Sequence, residues 1–392
     1  MPSEPVYLDG FSTTPLAPEA RDAMMLASSH PGNAGSPHRA GARASATLDQ
    51  ARQDVASLIG ADANEIVFTS GATEADNLAI RGIAIWSMQS GSPRRKIIVS
   101  AIEHKAVLEA AESLQAWGFD VILAPVDREG VLDVDATERL IDSETLLVSV
   151  MLANNETGAL QPVGPIAAIA HREGALVHCD AAQAAGKIPV DVDALEVDYL
   201  SVSAHKMYGP MGVGALYVAS GAPKPTPLSY GGKQEGSLRP GTEPTYLLAA
   251  FGTAARLAKS RLHEDMEHGQ ALARAFCSHL SDNGVRFAIT TGTASALPGS
   301  LSISLDGISA DSLVASLAPN ASVSTGSACT SGQLLPSHVL LAMGIPPDRA
   351  QSVVRLYFGR YNTLADVKTV APQFVEVVRR QRSPLDDPAS KL

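Results

Sequence analysis

Cysteine is scarce in this chain. The three present, at 179, 277 and 329, are odd in number and too widely spaced for a disulfide framework, and no spacing matches a zinc site. A reducing, cytoplasmic setting is therefore expected, and no metal centre. Positive charge is also short: 30 Lys and Arg against 41 Asp and Glu leave a formal charge of −11. Phosphate backbones and anionic membranes demand clustered cations, so neither nucleic acid nor membrane is an expected partner. No apolar run is long enough to span a bilayer. Met1-Pro2-Ser3-Glu4-Pro5 lacks the basic flank and apolar stretch of a secretory signal. What is present is ordinary for a soluble globular protein, with 45% hydrophobic and 18% charged residues in a length that suits about two domains. Small-molecule chemistry or protein partners are the expected business of such a chain.

The first 45 residues, rich in Pro, Gly, Ser and Thr, read as loop and turn with one helix over 18–27. A helix over 43–58 follows. The chain then alternates short apolar, β-branched runs with helical patterns: 65–69, 96–100, 121–123, 146–151, 175–179 and 199–203 are expected strands. Such alternation predicts a mainly parallel sheet with right-handed crossovers, and the run at 212–218 follows so closely that it should pair antiparallel. After an irregular Pro/Gly-rich section at 221–244, a long helix over 246–283 leads to a second unit. That unit has expected strands at 285–290, 300–305 and 353–358 and helices at 310–317 and 334–343.

The run Tyr199-Leu200-Ser201-Val202-Ser203-Ala204-His205-Lys206 ends in a polar cluster, and Asp180 ends the preceding expected strand. Ligands of open α/β sheets bind beyond the carboxyl ends of strands. A lysine there can lose its proton through desolvation and form a Schiff base, or it can be a surface residue paired with Asp180. In the first case Asp180 would hold the ring nitrogen of pyridoxal phosphate. Gly71-Ala72-Thr73 opens a helix after a strand, where unpaired N–H groups attract phosphate, although a simple cap reads the same way. Ser203 and His205 are further phosphate donors, and His104, at another helix start, is either a cap or a ring that stacks on a flat ligand. Arg355, on an otherwise apolar strand, needs a carboxylate, from substrate or protein. Cys329 lies in Ser324-Thr325-Gly326-Ser327-Ala328-Cys329-Thr330-Ser331, whose small polar residues suit an accessible, reactive thiol; Cys179 and Cys277 sit in core patterns.

Taken together and in order, Tyr7-Leu8-Asp9, Phe68-Thr69-Ser70-Gly71-Ala72-Thr73-Glu74, Glu103-His104-Lys105, Asn154-Asn155-Glu156, Asp180-Ala181-Ala182-Gln183, Ser203-Ala204-His205-Lys206, Arg239-Pro240-Gly241-Thr242, Gly326-Ser327-Ala328-Cys329-Thr330 and Arg355 resemble the cysteine desulfurases of the NifS/IscS type, within the class V aminotransferases. The resemblance implies an aspartate aminotransferase-like (fold type I) α/β architecture. A large domain over 13–260 would hold a mainly parallel seven-stranded sheet, and a small α+β domain of 1–12 and 261–392 would carry a mobile cysteine loop at about 323–336. It further implies a homodimer that converts L-cysteine to alanine and hands the sulfur, through a persulfide on Cys329, to an acceptor protein of iron–sulfur cluster or other sulfur-cofactor synthesis. Lys206 would bind pyridoxal phosphate and Asp180 its ring nitrogen. Gln183 would bond the ring hydroxyl, and His104 would stack on the ring and exchange a proton with substrate. Ala72, Thr73, Ser203 and His205 would hold the phosphate, with Thr242 reaching in from the other subunit. Asn155 and Arg355 would hold the substrate carboxylate. A selenocysteine lyase, another class V relative or a silent subunit of the same fold are the alternatives. Ser12 and Pro240 depart from residues common in this group, Ala and Ser respectively.

Overall fold

The computed structural model describes residues 4–292, 296–325 and 336–382. The alternating runs form seven strands of one sheet: β2 (Ile66–Thr69), β3 (Lys96–Ser100), β4 (Asp120–Ala124), β5 (Thr145–Ser149), β6 (Leu176–Asp180), β7 (Tyr199–Ser203) and β8 (Gly214–Val218). Their order is β2-β8-β7-β6-β5-β3-β4, parallel from β7 to β4, while β8 runs antiparallel to both its neighbours. The expectation of a short antiparallel link before β8 is thus met.

Because strand side chains alternate in direction, the sheet separates two apolar layers. Ile98, Val148, Val177, Leu200 and Val202 point into the larger core, under the helices Arg39–Ile59, Val163–Arg172 and the first half of Thr245–Asp282. Ile97, Val99, Leu147, Tyr199 and Leu216 point the other way, under the helices Ala72–Gln89 and Lys105–Glu112. By the same alternation His178 and Asp180, and Ser201 and Ser203, face the second layer, beneath the helix that starts at Ala72. Glycine is required where that helix begins: a Cβ on Gly214 would stand 2.5 Å from the Val202 carbonyl oxygen and 2.7 Å from Gly71 Cα.

The helix Thr245–Asp282 spans two cores, with Leu248 to Ala258 in the large one and Leu272 to Leu280 in another that packs on a four-stranded sheet. This sheet has the order β12 (Ser324–Thr325), β13 (Val353–Tyr357), β10 (Ser300–Ser304) and β9 (Ala288–Ile289). Helices Ala310–Leu317 and Leu364–Arg382 cover it. The strand expected over 285–290 shrinks to Ala288–Ile289, and the helix expected over 334–343 occupies His338–Ala342, with 326–335 outside the described residues.

The amino-terminal tract departs most from its reading as loop without core. Val6–Tyr7 is a strand, β1, paired in parallel with β11 (Ala321–Ser322), and Leu8 and Phe11 are each only 1% exposed. Its polar composition hid two large apolar anchors. They bring the chain across the front of the large sheet.

Candidate active site

Asp180 ends β6 and Lys206 follows β7 directly, in the turn Ala204–Lys206, so adjacent parallel strands deliver both to one edge. His104, the residue before the helix Lys105–Glu112, comes from the far side of β5, at the end of β3. Its imidazole is influenced by both Asp180 and Lys206: burial lowers its pKa, the aspartate opposes that shift and the lysine reinforces it. Three residues from three strand ends therefore share one crevice.

Each is held by specific contacts. Lys206 Nζ donates to the carbonyl oxygens of Phe11 and, at 2.9 Å, of Ser12. Asp180 Oδ1 accepts from the Ala182 N–H at 2.8 Å. Burial, reinforced by the charge of Asp76, pushes the Asp180 pKa up to about 6, which still leaves a carboxylate at neutral pH. His104 Nδ1 accepts from the Ala106 N–H at 3.1 Å, so the neutral ring carries its proton on Nε2. Capping, one of its two sequence readings, is thus real, and it occupies only one nitrogen.

The start of the helix Ala72–Gln89 has no side-chain cap, leaving the first-turn N–H groups of Ala72 and Thr73 with no partner from within the helix. Thr73 itself is exposed. A Cβ built on Gly71 would come 3.8 Å from Ser203 Oγ, so glycine keeps open the space between helix start and Ser203. An uncapped helix N-terminus beside a serine suits a phosphate. A buried carboxylate suits a pyridinium, and a partly buried lysine between them suits an aldehyde. The residues present therefore fit pyridoxal phosphate.

His205 Nδ1 lies 3.0 Å from Thr13 Oγ1, which leaves its Nε2 for a phosphate, and burial with the nearby Lys206 and Lys187 charges pushes its pKa down to about 4, so it is neutral. Gln183 is bonded at both ends of its amide, Nε2 donating to Phe11 O at 2.8 Å and Oε1 accepting from Lys187 Nζ at 2.8 Å. Arg355, 2% exposed, donates to Asn155 O at 2.9 Å and to Ser12 Oγ at 2.9 Å, with Asp9 Oδ1 at 3.3 Å. Its Nε and the Asn155 Oδ1 are buried without a hydrogen-bond partner among the described residues. An unpaired guanidinium N–H and an unpaired amide oxygen, on residues that touch each other, are what a pocket for an amino-acid substrate leaves behind. Ser12, the departure noted in the sequence, supplies Arg355 with a hydroxyl partner. Thr242 is exposed in the 230–244 segment. Cys329 lies outside the described residues. Cys179 is buried, and its pKa is raised well above the ordinary value by desolvation.

Several site residues escaped the sequence reading. Beneath Asp180 runs a buried polar seam: Ser149 Oγ is 2.8 Å from His178 Nδ1, His178 Nε2 is 3.0 Å from Ser201 Oγ, and Asp76 Oδ1 is 3.5 Å from His178 Nε2. Burial pushes Asp76 up to about 7 and His178 down to about 4, so between those values both are neutral and the contact is no ion pair. The signal was available: His178 and Asp180 alternate on an apolar strand, and Asp76 interrupts the apolar stripe of its helix. Glu103 accepts from the Met151 N–H at 2.6 Å and, fully buried near Asp180, has its pKa raised well above the carboxylate range.

Lys187 gave no signal. It is 4% exposed, with Nζ 4.7 Å from the Tyr357 ring centre and 5.9 Å from that of Phe11. Desolvation, then the charges of Lys206 and Arg355, lower its pKa well below 10.5. The unfolded chain thus holds a proton here that the folded chain gives up, so stability rises with pH from the folded value up to about 10.5. Urea unfolding at pH 7 and 9.5 should show this rise in the parent protein and its loss in Lys187→Met.

The sequence model of the aminotransferase class-V family matches residues 6–370. A cysteine desulfurase of Mus musculus is 40% identical over 386 residues, covering 97% of this chain and 83% of that protein. Among solved structures, a NifS-like protein superposes with a TM-score of 0.89 at 36% identity, covering 96% of this chain and 100% of the other. One described as SspA in complex with cysteine gives 0.79 at 33% identity, covering 91% and 100%. With a family model that spans residues 6–370 and relatives that match nearly the whole chain, the chain belongs to the class V aminotransferase family and, within it, to the cysteine desulfurases.

Proposed function

We propose that this chain, as a cytoplasmic homodimer loaded with pyridoxal phosphate, removes sulfur from L-cysteine and passes it to an acceptor protein. The observation that supports this best is the convergence of Asp180, His104 and Lys206 on one crevice, beside the orphan atoms of Asn155 and Arg355. The solved relative that holds cysteine supports the choice of substrate.

Lys206 is the amine that carries the cofactor, Asp180 faces its ring nitrogen and His104 its ring. Ala72, Thr73, Ser203 and His205 hold the phosphate, with Thr242 added from the partner subunit. His205 steadies the Lys206 turn through Thr13, and Gln183 is fixed by Lys187 for a contact with the ring hydroxyl. When bound, the cofactor supplies an electron sink for negative charge at the adjoining carbon. Arg355 and Asn155 orient the substrate carboxylate, and Lys206, once released, takes the Cα proton. The thiolate of Cys329 then attacks the substrate sulfur: an S–S bond forms, the Cβ–S bond breaks, and its electron pair stays on Cβ, which takes a proton to become the methyl group of alanine, while Lys206 returns its proton to Cα. Cys329 is left as a persulfide and is restored when an acceptor thiol takes the outer sulfur.

Cys329→Ser tests the reading. The variant should keep its yellow colour and its absorbance response to L-cysteine, yet form alanine and sulfide at least about a hundred-fold more slowly, since a hydroxyl does not replace the thiolate as nucleophile. Parent-like sulfide production would overturn the proposal.

A further inference from the structure

The 230–244 segment, which ends in Thr242, has an unusual backbone. Glu235, Gly236 and Ser237 adopt φ values of 46°, 62° and 70°, three successive left-handed residues of which two are not glycine. Such conformations persist only where surrounding contacts impose them. Little of the segment is buried by apolar packing: Tyr230 is 83% exposed, and Leu238 is only partly covered by the core layer under the Ala72–Gln89 helix.

Polar ties do the imposing. The Glu235 side chain is 3% exposed and receives both terminal nitrogens of Arg52 at 2.7 Å, together with the Phe68 N–H at 2.8 Å. Arg52 also donates to Ile66 O and lies 4.5 Å over the Phe68 ring. Since β2 is an edge strand, the pair satisfies open backbone groups on that edge and thereby docks the segment along it. A second tie follows four residues on: Arg239 Nε donates to Glu74 Oε1 at 3.0 Å, while Glu74 Oε2 accepts from the Ser70 N–H at 2.6 Å at the start of the phosphate-facing helix. Gln234 Oε1 accepts from the Gly241 N–H at 3.1 Å and closes the loop just before Thr242.

We propose that the half-buried Arg52–Glu235 pair is a latch whose function is to hold the 230–244 segment, and so Thr242, in the position that the cofactor's phosphate needs across the dimer; this rests on the reading of Thr242 given above. Arg52 and Glu235 are then positioning residues for cofactor retention. They touch neither substrate nor cofactor.

Trypsin supplies a readout independent of activity. Of the basic residues in the segment Arg239 precedes proline, so Lys233 is the cleavable one. In Glu235→Gln, cleavage after Lys233 should run at least about ten-fold faster than in the parent dimer, and pyridoxal phosphate should bind the stripped protein about ten-fold more weakly, with turnover largely restored at saturating cofactor. Should the single variant misfold around an unpaired Arg52, the double variant Arg52→Met, Glu235→Met removes both charges together and keeps the fold. Parent-like cleavage, or faster cleavage with parent-like cofactor affinity, overturns the latch. Thr242→Val separates the two ideas. Weakened binding there with none in the latch variants refutes the latch alone, whereas weakened binding in the latch variants with none in Thr242→Val removes Thr242 from the phosphate site and overturns the proposal that the latch acts through it.

Discussion

Lys206→Ala should yield a folded, colourless protein whose conversion of L-cysteine to alanine is slower by about four orders of magnitude. Both the covalent attachment of the cofactor and the base for the Cα proton are lost, and general-base catalysis alone is worth about 10²–10⁴. The fold should survive. Phe11 O keeps its bond from Gln183, and the Ser12 carbonyl lies in a half-exposed region that water can reach. Lys206→Arg is the informative companion, because guanidinium retains the positive charge toward the Phe11 and Ser12 carbonyls but is never a neutral nucleophile. Absorbance near the visible band, borohydride reduction and peptide mapping check the outcome. A reducible chromophore surviving in either variant would mean that another amine carries the cofactor, and Lys187, also buried nearby, is where to look.

Asp180→Asn should separate stability from activity. In the parent protein burial and Asp76 raise the Asp180 pKa from 3.8 to about 6. The folded state therefore binds this proton more tightly than the unfolded chain does, so its contribution to stability is greatest below pH 3.8 and is lost as pH rises to about 6. That displacement of about two pH units corresponds to a few kcal/mol, on the order of 3, spent on keeping a desolvated carboxylate. Asparagine abolishes the penalty while its Oδ1 still accepts the Ala182 N–H, so the variant stripped of cofactor should unfold at higher urea than the stripped parent at pH 8, and at similar urea at pH 4. Its turnover should fall about 10²–10³-fold, the usual cost of removing one preorganised electrostatic partner. Cofactor affinity carries the same signature. In the parent it should weaken as pH drops through about 6, because proton and pyridinium compete for one carboxylate, and in Asp180→Asn that dependence should vanish. A variant that keeps parent-like turnover and an unchanged pH dependence of cofactor affinity would show that Asp180 does not face the ring.

The legible part of the site was its strand ends. Asp180, Ser203 and Lys206 could be placed because each closes or follows a short β-branched run, and the crossover rule puts such ends on one edge. The uncapped helix start was legible for the same reason, since Gly71-Ala72-Thr73 joins a strand to a helix. Arg355 announced itself as a charge inside an apolar strand. Contacts that depend on distant segments were invisible. Nothing local tells that Phe11 and Ser12 offer their carbonyls to Lys206, that Lys187 secures Gln183, or that Glu235 turns back onto Arg52, 183 positions earlier.

Apolar periodicity and turn chemistry, which act between near neighbours, by themselves determined the seven-strand alternation, the reversed β8, the long bridging helix and the edge on which chemistry takes place. Only the tertiary structure decided the electrostatic character of that edge: which carboxyls are neutral, which lysine is desolvated and which arginine atoms are left unpaired. Those properties depend on burial and on charges brought together from opposite ends of the chain, and both exist only once the layers have closed on one another.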